Sequence, residues 1–297
     1  MSKTSRDNRP TSLVPLPGYV SSRKPVPGRW RKPTAIIVLL LLAIGVSGVQ
    51  LFNQGGLAAL VQREDQGPPL EPDRPTPGRE EAALRLGTPT DVPPSPSPHH
   101  NFALRFPGQA MPVTWGPCRP IHYVVRKDNA PAAGARLLAQ SFRQLSAATG
   151  LVFINDGSTD ERPSLRRKKL QPKRYGDRWA PVLIAWTDPG EVIGLKKDAP
   201  ASTGPQLFQP AGGELGFVSG FAYLHAPNLK KKMATLGEPF LHQVLLQQLA
   251  RLVGLELVEK PGQVMSRRPG KKVLTSYQAG DLTGLNVLGS GACQPKV

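Results

Sequence analysis

Residues 247 to 258 read Gln-Gln-Leu-Ala-Arg-Leu-Val-Gly-Leu-Glu-Leu-Val. Positions 247 and 251 are about one helical turn apart, so their side chains lie one above the other on the same helix face. Gly254 can take the left-handed conformation that ends a helix. The chain then turns back, which lets the side chain at 257 reach the same point. The spacing predicts three side chains that converge where a helix ends.

The same stretch also fits an ordinary core helix. Apolar residues recur at helical spacing, which is typical of an amphipathic helix packed on a core. These residues are Leu241, Val244, Leu245, Leu249, Leu252, Val253 and Leu255. Because residues 247–257, called here the helix–turn segment, satisfy both interpretations, the rest of the chain has to decide between them.

The region before residue 111 has the composition of an anchored, unfolded segment. Residues 34–52 are almost uninterruptedly apolar and would span roughly 28 Å as a helix, about one bilayer core. Basic residues precede them, which predicts a single-pass signal anchor in the cell membrane, with a cytoplasmic N-terminus and an extracytoplasmic C-terminal domain. A cleavable signal peptide is the alternative. Composition predicts a basic, disordered tail over residues 1–33 and a Pro-rich, disordered stalk over residues 53–110.

Residues 111–297 are the predicted folded domain. Alternation and apolar runs predict strands, and 3.6-residue periodicity predicts helices, in the order strand, helix, three strands, helix, helix. A stripe through Ala135, Leu138, Phe142 and Leu145 marks the first helix. The predicted elements are 121–125, 131–149, 151–154, 181–186, 216–224, 238–253 and 280–288.

The two cysteines, Cys118 and Cys293, lie near the two ends of this domain. In an exported chain an even pair that brackets a domain indicates a disulfide bond. Free buried thiols are the alternative.

Five short motifs in order resemble the matrixin- and adamalysin-like metzincin metalloproteases of the actinobacterial secreted or membrane-anchored type. The resemblance implies an α+β fold: a metzincin-like twisted, mostly parallel sheet with an active-site-type helix and a Met-turn, preceded by one transmembrane helix and the Pro-rich stalk. The motifs are Ala148–Phe153, Asp156–Glu161, Tyr175–Trp186, Val218–Gly220 and Gly280–Leu285.

Compared with this family, the zinc chemistry is missing from the helix–turn segment. The family pattern H-E-x-x-H-x-x-G-x-x-H supplies three zinc ligands and a glutamate base. Gln248 stands at the base position, Gly254 is the helix-ending glycine and Met265 is the Met-turn methionine. No cofactor is expected, because an arginine and a leucine offer no lone pair for zinc. The residues at the zinc positions are Gln247, Arg251 and Leu257.

These features predict a membrane-anchored pseudopeptidase that acts as a binding or regulatory module at the cell envelope. An active hydrolase of this family with a non-standard site is one alternative, and an electrostatic binder of anionic envelope polymers is another. The expected partners are the membrane through residues 34–52 and an extended peptide or anionic envelope polymer; the oligomeric state is not predicted. Nucleic acid is not expected, because the basic runs lack interleaved aromatic residues. Candidate anion-binding residues are Arg251, Arg166, Arg167, Lys168 and Lys169.

Overall fold

The computed structural model describes residues 73–192, 199–268, 270 and 272–297. All of them belong to one compact unit, Glu71–Val297. The helices and strands of these residues, in chain order, are β1 (Asn101–Phe102), β2 (Ile121–Arg126), α1 (Gly134–Thr149), β3 (Phe153–Ser158), α2 (Pro172–Tyr175), β4 (Val182–Thr187), β5 (Ala201–Phe208), β6 (Gly216–His225), α3 (Ala226–Leu252), β7 (Leu255–Glu256) and α4 (Ala279–Gly289).

The centre of the fold is a five-stranded mixed sheet with the order β3-β2-β4-β6-β5. The pairings β2–β3, β2–β4 and β4–β6 are parallel, and β5 joins the edge antiparallel to β6. Every residue of β4 is buried. A central parallel strand covered on both faces requires such a continuous apolar run, and the sequence predicted a strand at these residues.

Helix α1 packs against the core through the stripe that the sequence predicted, with one difference. Leu138, Phe142 and Leu145 are buried, and the rings of Phe142 and Tyr123 stack with centroids 4.0 Å apart. Ala135 is exposed, so the expectation for that residue was wrong. Leu137 is buried instead, because the buried face is centred slightly later along the helix.

Helix α3 is longer than predicted and is bent. Its backbone leaves helical geometry at Gly237, whose φ is 71°. That positive angle favours glycine, and Pro239 follows in the first turn of the second half, where a proline is tolerated. The second half begins where the sequence placed the start of the helix. The part from Ala226 to Leu236 is an additional, largely exposed stretch.

Strand β5 is absent from the sequence prediction. It runs through Gly204 and Pro205, and both residue types argue against a strand interior. Here β5 is an edge strand that pairs only with β6. A proline is compatible with such a position, because its missing N–H costs a hydrogen bond only on a paired side.

The predicted disordered stalk is wrong for residues 73–110, called here the N-terminal segment. The Ala82 N–H donates to Cys118 O at 2.7 Å, and the Thr90 N–H donates to Ala147 O at 2.8 Å. Strand β1 pairs with β7, which lies within the helix–turn segment, and Phe102 is buried. The many prolines remove donors, but several of the remaining N–H groups bond to residues of the domain, so the segment is part of it.

The predicted fold class is also wrong in its membrane element, and with it the cell-membrane localisation. The chain is α+β, but none of the helices in the described ranges has the length and apolar character needed to cross a bilayer. Residues 34–52, on which the anchor and the membrane partner were predicted, lie outside the described residues, as does the tail 1–33. The longest described helix, α3, carries the exposed run Lys230–Lys232 and is bent at Gly237.

Candidate functional site

The helix–turn segment has the backbone course that its spacing predicted. Helix α3 ends at Leu252, and the Gly254 N–H donates to Arg251 O at 3.0 Å. Gly254 has a φ of 106°, which an L side chain rarely adopts. A Cβ at this position would also lie 3.0 Å from Phe217 Cε2 and 3.3 Å from Leu288 Cδ2. Both the angle and the space therefore require glycine here.

Gln248, at the position of the catalytic base in the family that the chain resembles, is hydrogen-bonded to another residue of the protein. Its side chain is almost fully buried. The Thr203 hydroxyl donates to Gln248 Oε1 at 2.9 Å, which ties helix α3 to the edge strand β5. A neutral amide cannot accept a proton from water near neutral pH. In this structure its oxygen is also occupied by an internal donor.

Gln247 and Met265 connect the end of α3 to the turn that follows. Gln247 Nε2 donates to Val264 O at 3.0 Å. The Val258 N–H donates to Met265 O at 2.8 Å, and Met265 is buried in the core. Gln247 therefore links the helix to the turn through a hydrogen bond, and Met265 of that turn is part of the main core.

Asp281 holds this turn, and the sequence analysis assigned it no role. It is buried, and its carboxylate accepts N–H groups from Val264 at 2.8 Å, Met265 at 3.1 Å and Gln278 at 2.9 Å. Burial raises the pKa of Asp281 above its ordinary value, although these three hydrogen bonds act in the opposite direction. The signal in the sequence is the capping-box spacing of Gln278 and Asp281 at the start of α4.

Arg251 and Leu257 occupy the other two convergent positions. Leu257 is partly buried and packs against the main core. Arg251 is partly exposed, and its side chain makes no hydrogen bond or ion pair within the described ranges. Glu256 does not pair with it; instead, its Oε1 accepts from Arg267 Nη2 at 3.4 Å and from the Leu257 N–H at 2.7 Å. Arg251 is thus a cation beside the turn without an internal partner in this part of the chain.

These residues do not fit a zinc ion. Arg251 has no lone pair, Leu257 has no donor atom, and Gln247 and Gln248 are bonded to the protein. The one group of three metal-type donors in the searched part of the chain is Glu81 with Cys118 and Cys293. Both of its sulfur atoms belong to a disulfide bond, so they are not thiolate ligands.

The disulfide joins the segment just before β2 to the segment that follows α4. The Cα atoms of Cys118 and Cys293 are 5.2 Å apart and 175 residues apart in sequence. Such a bond is typical of an oxidising compartment. Closing so long a loop stabilises the domain mainly by restricting the unfolded chain.

The basic loop, residues 162–174, carries two kinds of cation: some are buried or bonded to other parts of the protein, and others are exposed. Arg167 is buried: its Nε and Nη2 donate to Glu161 at 2.8 and 3.0 Å, and Nη2 also donates to Pro181 O at 2.7 Å. Lys169 Nζ donates to Leu207 O at 2.9 Å. Arg166 and Lys168 are exposed. Of the candidate anion-binding residues in this loop, Arg167 is therefore a structural residue, and Lys169 is already bonded internally.

Two depressions lie beside the basic loop. The first has a volume of about 590 Å³ and is lined by Lys168, Leu170, Gln171, Pro172, Lys173 and Arg174. The second, of about 430 Å³, is lined by Asp73, Arg167, Lys168, Lys169, Leu170, Pro172 and Gln206. Since they share Lys168, Leu170 and Pro172, they lie side by side. Lys173 and Arg174, in the short helix α2, were not among the sequence candidates.

Comparison with known proteins does not name a family. No family model matches the chain, and no curated protein matches it. Among solved structures, it is similar to the GM1-bound form of the ECX AB5 holotoxin, with 10% identity, a TM-score of 0.34, and coverage of 58% of this chain and 81% of that chain. A TM-score this low does not show a shared fold. The comparisons give no support to the description of the chain as a metallopeptidase-like membrane protein.

Proposed function

We propose that the unit described here is a non-catalytic binding module, a pseudopeptidase built on the helix–turn segment. The observation that carries this proposal is the position of Gln248, whose buried amide accepts a hydrogen bond from Thr203. A peptidase of the resembling type needs a carboxylate at that point, open to the attacking water. Here the same point links α3 to the edge strand and leaves no base.

The competing proposal, an active hydrolase, is not supported by any Ser–His or Cys–His hydrogen bond between side chains of the described ranges. Both cysteines are joined in the disulfide. His122 Nδ1 lies 2.8 Å from Asp156 Oδ1 and 3.2 Å from Arg178 Nη1, so this ring contacts charged side chains rather than a serine or cysteine. His242 is buried, and burial lowers its pKa, with the nearby positive charge of Arg136 acting in the same direction. A nucleophilic mechanism needs a base within hydrogen-bond reach of the nucleophile.

The test compares the purified full chain with a variant in which the three zinc positions are restored by Gln247→His, Arg251→His and Leu257→His. We expect the wild-type chain to cleave no denatured protein substrate, with or without added zinc. We expect the folded variant to bind zinc stoichiometrically, because the spacing of the three positions predicts that their side chains converge. Cleavage by the wild-type chain, lost on chelation, would contradict the proposal; a folded variant that binds no zinc would contradict the geometric part of it.

A further inference from the structure

The basic loop carries a group of cations that the protein itself does not use. Arg162, Arg166, Lys168 and Lys173 are exposed, and their side chains make no hydrogen bond or ion pair with any described residue. The two acidic residues just before the loop already form ion pairs with other side chains. Glu161 is buried against Arg167, and Asp160 is paired with Arg174. Four positive charges are therefore left facing solvent without internal compensation.

The loop that carries these charges is held in place by bonds to the sheet. Besides the contacts of Arg167, Gln206 Nε2 donates to Arg167 O at 2.6 Å. Gln171 Nε2 donates to Glu161 Oε1 at 2.7 Å and to Lys168 O at 3.1 Å. Tyr223 donates its hydroxyl to Ser164 O at 2.8 Å. A fixed backbone reduces the entropy that is lost when a ligand binds, which favours binding.

The shape of this surface suits an extended ligand. Lys168, Leu170 and Pro172 line both depressions, so the two adjoin along these residues and a flexible chain can lie across both. The first depression is lined by Lys168, Lys173 and Arg174 without a carboxylate. The second contains Asp73 and is less positive. A single small anion would use only the first, whereas a polymer would also contact cations along the loop.

We propose that the basic loop binds a flexible linear polymer of repeating phosphate groups. Lysine ammonium groups act as point charges for phosphate, and such binding is driven by release of counterions. Neither depression is lined by an aromatic residue, so the surface offers no platform on which bases could stack. This inference rests on the proposed function in that it names a ligand class for the binding module.

The test measures binding of long-chain inorganic polyphosphate to the full chain by calorimetry at several salt concentrations. With four phosphate contacts, we expect a slope of log affinity against log salt of about −3, which is about a 60-fold loss between roughly 50 and 200 mM salt. The variant Lys168→Ala/Lys173→Ala should bind about tenfold or more weakly, with the slope roughly halved. The variant Lys230→Ala/Lys231→Ala changes the net charge equally but alters the exposed run in α3, and it should stay within about threefold of wild type.

Three results would overturn the inference: no binding of polyphosphate, equal weakening by both double variants, or tighter binding of single-stranded DNA than of polyphosphate of equal charge. Equal weakening would indicate attraction by net charge alone. An unchanged thermal midpoint of each variant shows that the fold is intact. Failure here leaves the absence of catalysis untouched, because that proposal depends on hydrolysis and zinc binding.

Discussion

Replacing Arg167 by methionine distinguishes a structural arginine from a ligand-binding one. Methionine keeps much of the apolar length but has no charge and no donor. The change removes both bonds to Glu161 and the bonds to Ser219 Oγ at 3.1 Å, Gly220 O at 3.4 Å and Pro181 O at 2.7 Å. Glu161 then keeps only Tyr175 and Gln171 as side-chain donors.

The expected cost is large because one charge of a buried pair is left behind. Breaking such a pair costs about 3–5 kcal/mol of unfolding free energy. Burial alone would raise the pKa of Glu161, but the bonds from Arg167, Tyr175 and Gln171 outweigh it and hold the pKa below 4.5. The resulting stabilisation is present above pH 4.5 and is lost as the pH falls through the folded pKa. In the variant, burial has the larger effect on the pKa of Glu161. The difference in unfolding free energy between the variant and the wild type should therefore become smaller in acid, where Glu161 is neutral.

Urea denaturation followed by tryptophan fluorescence measures this loss. The matched control is Arg166→Met: Arg166 is exposed and its side chain bonds to no described residue, so the change should stay within about 0.5 kcal/mol. Adding Glu161→Gln to Arg167→Met should recover part of the stability, since the stranded charge is gone. Equal stability of the two single variants, or loss of anion binding by Arg167→Met without loss of stability, would refute the structural assignment.

Three further changes test the helix–turn segment and its surroundings. A chain of residues 111–297 should have an unfolding free energy lower than that of residues 73–297 by about 3 kcal/mol or more in urea denaturation. The shorter chain loses the backbone hydrogen bonds to the N-terminal segment and the burial of Phe102. Equal stability of the two chains would restore the prediction of a disordered stalk. Gly254→Ala should lower the unfolding free energy by about 1–3 kcal/mol, given its φ of 106°, and an unchanged urea midpoint would argue against that backbone. Burial raises the pKa of Asp281, so the folded state holds this proton more tightly than the unfolded state. The unfolding free energy therefore falls as the pH rises above 3.8. Urea titrations across this pH range should show the decline in the wild type and not in Asp281→Asn. A decline that persists in the variant would assign it to another group.

The sequence predicted the elements whose patterns are local and strong. The apolar run of β4, the stripe of α1 and the helix-ending Gly254 each carry their own signal, and the structure has them where that signal lies. The edge strand β5 carries no such signal, because Gly204 and Pro205 interrupt it, and it is a strand through its antiparallel pairing with β6 across the loop 209–215. Edge strands are defined by their neighbours more than by their own residues.

The sequence indicated where the residues of the site lie along the helix, but not which hydrogen bonds they make. Spacing alone placed Gln247 and Arg251 one turn apart on the same helix face, because helical geometry fixes that. It could not show that Thr203 would bond to Gln248, or that Glu256 would bond to Arg267 rather than Arg251. It likewise could not separate buried Arg167 from its exposed neighbours, since a run of like charges is usually solvated. The stalk prediction failed for the same reason: composition does not report hydrogen bonds made across the fold.

The absence of a zinc site is tested by the zinc-to-protein ratio of the purified full chain, prepared without chelators or a histidine tag. We expect a ratio far below one after dialysis against zinc-containing buffer, because Arg251 and Leu257 cannot bind the ion. The variant carrying the three restored histidines is the matched positive control and should hold zinc. A stoichiometric ratio in the wild-type chain would show that this expectation is wrong and indicate a metal site made of other residues.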